Sequence, residues 1–391
     1  MSGSTSPSDT PISGRRAALA TVMGAVAIFG LTLGLSYPLL SVVLEQRGTS
    51  GLWIGLNSAM TPLGFILGAP LVTWLGRRLG GWWLLLMGMA ATALFLAGLG
   101  STESLALWFP LRLGLGISIN MLYIVSETWI ILLAPAGSRG RILAVYTTLL
   151  SIGFGTGPAI LALVGSQGFL PFGIAIAAIV LAALPLIPAR RFSPRFEDST
   201  AGAVFSVVPY MLGLLAIMFT LSAFDSATLA LLPVYGLRTG LGEAAAAMTL
   251  TTLVFGNIAL QYPMGWLADR IDKRKVIALC AAVGLTGALA LLWLVGHWML
   301  WPVLFVWGGI TFAVYPVTLA LLGERFAGAS LLAGNAAFSM MWGLGGLVGP
   351  PVAGGAMEIF GPPGLPLVLA AIWGAFLLSR LARRRDRTGE H

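Results

Sequence analysis

Apolar stretches follow one another almost without pause along the 391-residue chain, parted by short polar turns. Most are long enough, at about 1.5 Å per residue, to cross a ~30 Å hydrocarbon core as helices. Helix is the predicted state because backbone N–H and C=O groups in lipid have to be satisfied within the segment. Twelve spans are predicted, over 17–43, 52–75, 82–100, 105–133, 141–165, 170–188, 204–234, 243–267, 276–296, 300–322, 331–358 and 365–380. The polar break ARRFSPRFEDSTAGA at 189–203 divides them six and six. The expected organisation is a disordered tail at 1–16, a six-helix bundle over 17–188, a linker at 189–203, a second six-helix bundle over 204–380 and a basic tail at 381–391. The tail MSGSTSPSDTPISGRR lacks the short apolar core of a cleavable signal peptide, so the first span is expected to be retained.

The two groups of six spans are related in sequence. A shift of 192 residues lays Gly153 on Gly345, Gly157-Pro158 on Gly349-Pro350, Gly116 on Gly308, Tyr123 on Tyr315, Ser138 on Ser330 and Arg78 on Arg270. One offset serves several different helices and loops. A repeated six-span unit points to an all-α integral membrane protein of two pseudo-symmetric bundles, the architecture of a secondary transporter with its substrate site near the midplane.

Composition agrees: 58% of residues are hydrophobic and 9% charged, against the roughly one quarter charged in a soluble domain. The net charge of +8 reports topology. Of 22 Lys and Arg residues, only Arg47 and Arg238 fall in the loops after odd-numbered spans, and Arg112 lies within a span. All the others flank the opposite side, which places both termini and the 189–203 linker in the cytoplasm by the positive-inside rule. A nucleic-acid partner is not expected.

Charge inside the spans is scarce, and each case calls for an explanation. In RLGLGISINMLYIVSETWI, residues 112–130, the positions Arg112, Gly116, Asn120, Tyr123 and Glu127 fall within a helical arc of roughly 80°. Arg112 and Glu127 are about 22 Å apart along one helix and cannot pair with each other. Asp225, about ten residues from the outer end of the seventh span, is flanked by Ser222, Ser226 and Thr228. Intramembrane charges are costly and face a protein interior or a water-filled cavity, so Arg112, Glu127 and Asp225 are the candidates for coupling transport to protons. A structural role for Glu127, as a hydrogen-bonded acid or a latch near the cytoplasmic end, accounts for its presence equally well. Candidates for the substrate cavity are Asn120, Tyr123, Asn257, Gln261, Tyr315 and Trp342.

Other chemistry is poorly supplied. Lys273 and Lys275 are the only lysines and neither lies in a phosphate-binding loop, so ATP-driven pumping is not expected. His297, His391 and Cys280 form no metal set and no nucleophile–base pair. No cofactor, no metal and no enzymatic activity are expected.

Three further motifs carry a resemblance. GWLADRIDKRK, Gly265 to Lys275, resembles the signature loop of the major facilitator superfamily. The resemblance implies that Gly265, Asp269 and Arg270 form a latch that holds one conformation and releases it in the other. The first-half counterpart TWLGRRLGG has Arg77 where the aspartate would stand, and Asp272 replaces the usual second glycine, so the latch is expected to be asymmetric. Arg112 with Gly116 resembles the superfamily's R-x-x-x-G element, whose arginine is associated with proton coupling. GFGTGP, with Gly153, Gly157 and Pro158, resembles the glycine-rich element of antiporters, although close helix packing explains it as well, and Gly345, Gly349 and Pro350 repeat it. Together with PMGWLADRIDKRK, FAVYPVTLALLGERF and MMWGLGGLVGP, these segments are similar to the YcaD-like branch of that superfamily. The branch implies the fold but no substrate; the expectation is a monomeric, proton-coupled secondary transporter of a small organic solute in a bacterial inner membrane, with export slightly favoured over uptake. A transport-inactive receptor or assembly protein and a lipid translocator remain open on the same fold.

Overall fold

The structure, a computed structural model, describes residues 12–133, 139–184, 186, 190, 203–326 and 328–388. Most of the expected linker and most of the first tail lie outside them. The helices among the described residues are, in order, α1 (Ile12–Gln46), α2 (Gly51–Leu79), α3 (Gly81–Ser101), α4 (Leu105–Leu133), α5 (Arg139–Val164), α6 (Leu170–Ala183), α7 (Ala203–Arg238), α8 (Glu243–Arg270), α9 (Lys273–Leu294), α10 (Leu300–Arg325), α11 (Gly328–Ile359) and α12 (Gly364–Thr388). No strand occurs among the described residues. Among the described residues nine helices are long and apolar enough to cross a membrane, and shorter apolar helices lie at Leu170–Ala183 and Gly364–Arg380. The chain is a multi-pass membrane protein.

Local chemistry explains where helices bend and stop. α10 consists of two segments, Leu300–Thr311 and Val314–Arg325. Pro316 has no N–H to give to the Phe312 carbonyl and its ring clashes with that carbonyl, so the ladder breaks one turn earlier. α7 leaves helical geometry at Met211, two residues after Pro209. α12 runs on to Thr388, past the apolar stretch, through an arginine-rich sequence that contains no helix breaker.

The chain forms two compact units. The first comprises residues 1–36, 64–157 and 167–198, the second residues 37–63, 158–166 and 199–391. Three helices pass from one unit to the other, each within two residues of a proline: α1 after Ser36 (Pro38), α2 after Leu63 (Pro62) and α5 after Gly157 (Pro158).

Within the first unit α3 packs on α4 and α6, and Leu84, Leu96, Trp108, Leu115, Leu122 and Trp129 are all at most 2% exposed. α5 crosses α1 at contact distance. A Cβ on Gly153 would lie 2.5 Å from Ala27 O, one on Gly30 2.4 Å from Leu150 O, and one on Gly34 2.2 Å from Phe154 O. α2 and α4 meet in the same way, and a Cβ on Gly64 would lie 2.6 Å from Leu113 O.

The second unit repeats both crossings under the 192-residue offset. A Cβ on Gly345 would lie 2.5 Å from Phe219 O, as one on Gly153 would from Ala27 O, and a Cβ on Gly256 would lie 1.8 Å from Phe305 O, where one on Gly64 would meet Leu113 O. Small residues at these points let helix backbones touch, which is how helices associate where lipid removes the hydrophobic driving force. The core is aromatic: Phe224 of α7 packs against Trp307, Phe312 and Trp373 with ring centroids 5.3, 5.8 and 5.5 Å away. Gly284 and Gly287 of α9 make room for Trp373 and Trp307, and Trp307 Nε1 donates to Gly284 O at 3.1 Å.

Candidate functional site

In the first unit the polar arc of α4 is tied into its neighbours. Arg112 is fully buried. Gly116 lies under α2, where a Gly64 Cβ would come within 2.9 Å of its Cα. Asn120 is 6% exposed and donates from Nδ2 to Phe65 O at 3.1 Å, so its amide ties α4 to α2. Tyr123 packs its ring on Phe29 of α1 at 4.9 Å and donates from its hydroxyl to Glu127 Oε1 at 3.3 Å. Ser126, one residue before Glu127, bonds Tyr146 of α5 at 3.0 Å. Glu127 is exposed, yet lies on the face of α4 turned toward α1 and α2. Trp129 is 1% exposed and serves as packing.

In the second unit Asp225 of α7 is half-buried within a stretch, 221–236, whose other residues are all buried. Met218, Leu221, Leu229 and Leu232, at seven and four residues to either side, are at most 5% exposed. None of the flanking hydroxyls serves the carboxylate. Ser222 donates to Trp342 O, Thr228 donates to Phe224 O at 2.7 Å, and Ser226 stands against Gly346. Among the described residues Asp225 has no hydrogen-bond or ion-pair partner.

α8 presents two further unpartnered groups. Its exposed apolar stripe is Phe255, Ala259, Tyr262 and Trp266, and Asn257 and Gln261 project about 150° away from it on the helical wheel. Gln261 is exposed although it lies on the face opposite that stripe. Neither amide has a hydrogen-bond partner among the described residues. Tyr315 and Trp342 meet edge to face at 5.7 Å. Tyr123 and Tyr315, one repeat apart, thus each carry an aromatic neighbour.

The α8–α9 turn holds the signature-loop residues. A Cβ on Gly265 would meet nothing within 4 Å. Asp269 is exposed, and the Arg270 guanidinium lies 3.8 Å over the Trp266 ring. Arg78 lies over Trp74 at 4.1 Å, the same pair one repeat earlier. Asp272 accepts from Arg274 N at 2.7 Å and caps α9, which gives the departure from glycine a structural use. Lys273 pairs with Glu324 at 2.7 Å, and a charged cleft of about 380 Å³ opens between this turn and the end of α10.

Sequence reasoning missed an ion-pair network at the opposite helix ends, where Arg238 grips Glu45 with two 2.8 Å contacts. The signal available was that Arg238 is one of only two cations in loops otherwise depleted of them. It also missed Gly64 and Gly256, which the 192-residue offset already pairs.

The profile of the Major Facilitator Superfamily matches residues 22–255 and 214–391. The uncharacterized MFS-type transporter YfkF of Bacillus subtilis is 28% identical over 372 residues, covering 91% of this chain and 93% of its own length. The uncharacterized MFS-type transporter YcaD of Escherichia fergusonii is 26% identical over 340 residues, covering 85% and 87%. Among solved structures, a variant of the nucleoside transporter NupG superposes with a TM-score of 0.78 over 93% of this chain and 99% of that one, at 13% identity. A bacterial homologue of the lysosomal transporter Spinster gives 0.74 over 94% and 96%, at 12% identity. The repeated crossings, the aromatic cores and these matches agree: the chain belongs to the major facilitator superfamily, in its YcaD-like branch, and is a membrane transporter.

Proposed function

We propose that the chain exports a small organic solute by alternating access in exchange for protons, acting as a monomer in a bacterial inner membrane with both termini cytoplasmic. The observation that carries this reading is that the intramembrane charges break the repeat. Under the 192-residue offset Arg112 corresponds to Leu304, Glu127 to Leu319 and Asp225 to Leu33. The fold is built twice, and at each of these places one copy does without the charge. Groups so costly in a membrane are kept for chemistry when the scaffold does not need them.

Asp225 and Glu127 are the proton-exchanging acids in this reading, and Arg112 orients the first-half pathway. Tyr123, Asn257, Gln261, Tyr315 and Trp342 contact the solute, while Asn120 serves helix packing. Gly265, Asp269 and Arg270 form the cytoplasmic latch. The two repeats, over 17–188 and 204–380, move about the linker at 189–203. The test is solute flux in proteoliposomes with and without an imposed proton gradient, using hits from a toxicity screen of a deletion strain. Gradient-driven flux supports the reading, and binding without flux in either direction overturns it.

A further inference from the structure

The ends of α1, α2 and α5 and those of α7, α8 and α11 are joined by a network that no loop motif announces. Arg238, the last residue of α7, holds Glu45 of α1 as a planar fork, Nε to Oε1 and Nη2 to Oε2, both at 2.8 Å. Its Nη1 also reaches Glu358 Oε1 of α11 at 3.5 Å. The same Glu358 oxygen accepts the first N–H of α2, from Gly51, at 2.5 Å, so one carboxylate joins a guanidinium to a helix N-terminus. A second clamp lies beside it. Glu243, the first residue of α8, accepts from Ser166 N at 2.5 Å and from Gln46 Nε2 at 3.0 Å, and Ser166 Oγ donates to Gln46 Oε1 at 3.1 Å.

Behind these contacts α2 and α11 are closed by small residues. A Cβ on Gly354 would lie 2.1 Å from Gly51 O, and one on Gly55 2.2 Å from Pro350 O. Ser58, the next α2 residue on this face, is 0% exposed. Nothing of substrate size passes such a seam while it is shut.

We propose that Arg238 with Glu45 and Glu358, backed by the Glu243–Gln46–Ser166 clamp, is the outer latch of the transport cycle, which parts whenever the pathway opens outward. The proposal rests on the alternating-access reading and its orientation. It assigns the outer closure to charge-assisted contacts, where sequence reasoning had placed a latch only at the cytoplasmic loop. Forked arginine–carboxylate pairs suit this task because they form in one geometry and are lost together when the ends separate.

The test is thiol labelling of Ser58→Cys from outside with a membrane-impermeant reagent, in full-length protein in right-side-out vesicles. Native Cys280, 0% exposed, is retained as the internal control for unfolding. Arg238→Gln and Glu45→Gln are each expected to raise labelling at position 58 about tenfold with Cys280 silent. The double variant is expected to rise no further, because both changes break one contact. Unchanged labelling in the single variants, or independent effects in the double, overturns the latch. Labelling of Cys280 alongside position 58 also overturns it, since the network would then hold the fold rather than the gate. No solute or proton gradient enters this measurement, so absent flux with an intact labelling response would overturn the proposed function alone.

Discussion

Gly157→Ala adds one methyl group where α5 crosses α1, and the structure leaves no room for it. The new Cβ would lie 2.3 Å from the Gly34 carbonyl carbon and 2.3 Å from Leu35 N, both backbone atoms that cannot rotate away. Carbon contacts are comfortable at about 3.5–4.0 Å, so the two helices have to part by roughly 1 Å or more. Overpacking of this kind costs about 1–3 kcal/mol. The better helix propensity of alanine, about 0.8–1.0 kcal/mol, offsets only part of it. Gly349→Ala, with its Cβ 2.1 Å from Ala223 O, carries the same sign at the equivalent crossing. Gly265→Ala is the control, because a Cβ there meets nothing within 4 Å and only the propensity gain remains. Heating the purified protein with a thiol-reactive dye provides the readout, since the single cysteine, Cys280, is buried until the fold opens. The midpoints of Gly157→Ala and Gly349→Ala are expected to fall by a few degrees, and that of Gly265→Ala to match or exceed the parent. A midpoint for Gly157→Ala at or above that of Gly265→Ala would refute the reasoning, showing that α1 and α5 separate without cost.

Arg112→Ala is expected to abolish flux in protein that still inserts, stranding the buried acceptor it serves at a cost of about 1–3 kcal/mol; Arg112→Lys recovers little if the planar fork is what counts. Normal flux in the alanine variant removes Arg112 from the mechanism. Cysteines placed singly at Ser199 and Thr49, in a Cys280→Ala background, are expected to label from opposite faces of the membrane, and labelling from one face would overturn the twelve-span topology. Asp225→Asn is expected to lose gradient-driven accumulation while keeping solute exchange, and Glu127→Gln to do so less completely. Normal accumulation in both variants would show that neither acid carries the proton.

Much of the scaffold was legible because it is written twice. The 192-residue offset that aligns Gly153 with Gly345 in sequence also aligns their contacts, Ala27 O and Phe219 O. The break in α10 was open to reading as well, since Pro316 disables the Phe312 carbonyl by a local rule. Contacts between distant segments were not legible. Asn120 sits on a polar helical arc and looked like a cavity residue, but its partner is the backbone carbonyl of Phe65, which any residue would supply. Glu45 and Arg238 are 193 residues apart at the ends of two helices, and the scarcity of cations there marks Arg238 as unusual without naming its partner.

The repeat also shows where the two copies have diverged, and one such place is a helix crossing. In the first unit Gly30 and Gly34 of α1 press against Leu150 O and Phe154 O. The equivalent residues of α7 are Ser222 and Ser226, and those of α11 are Trp342 and Gly346. At these positions glycine contacts have been exchanged for a hydrogen bond, from Ser222 to Trp342 O, with Ser226 fitted over Gly346, while Gly345 and Gly349 keep the backbones close. The residue between those serines and one step from Ser226 is Asp225, and the side chain fixed by the bonded carbonyl's residue is the indole that meets Tyr315. The acid proposed to exchange protons and the aromatic pair proposed to meet the solute are therefore held by a single helix crossing. A change in how α7 rests on α11 moves both at once, which is the physical requirement for proton and solute to be coupled rather than merely carried by the same protein.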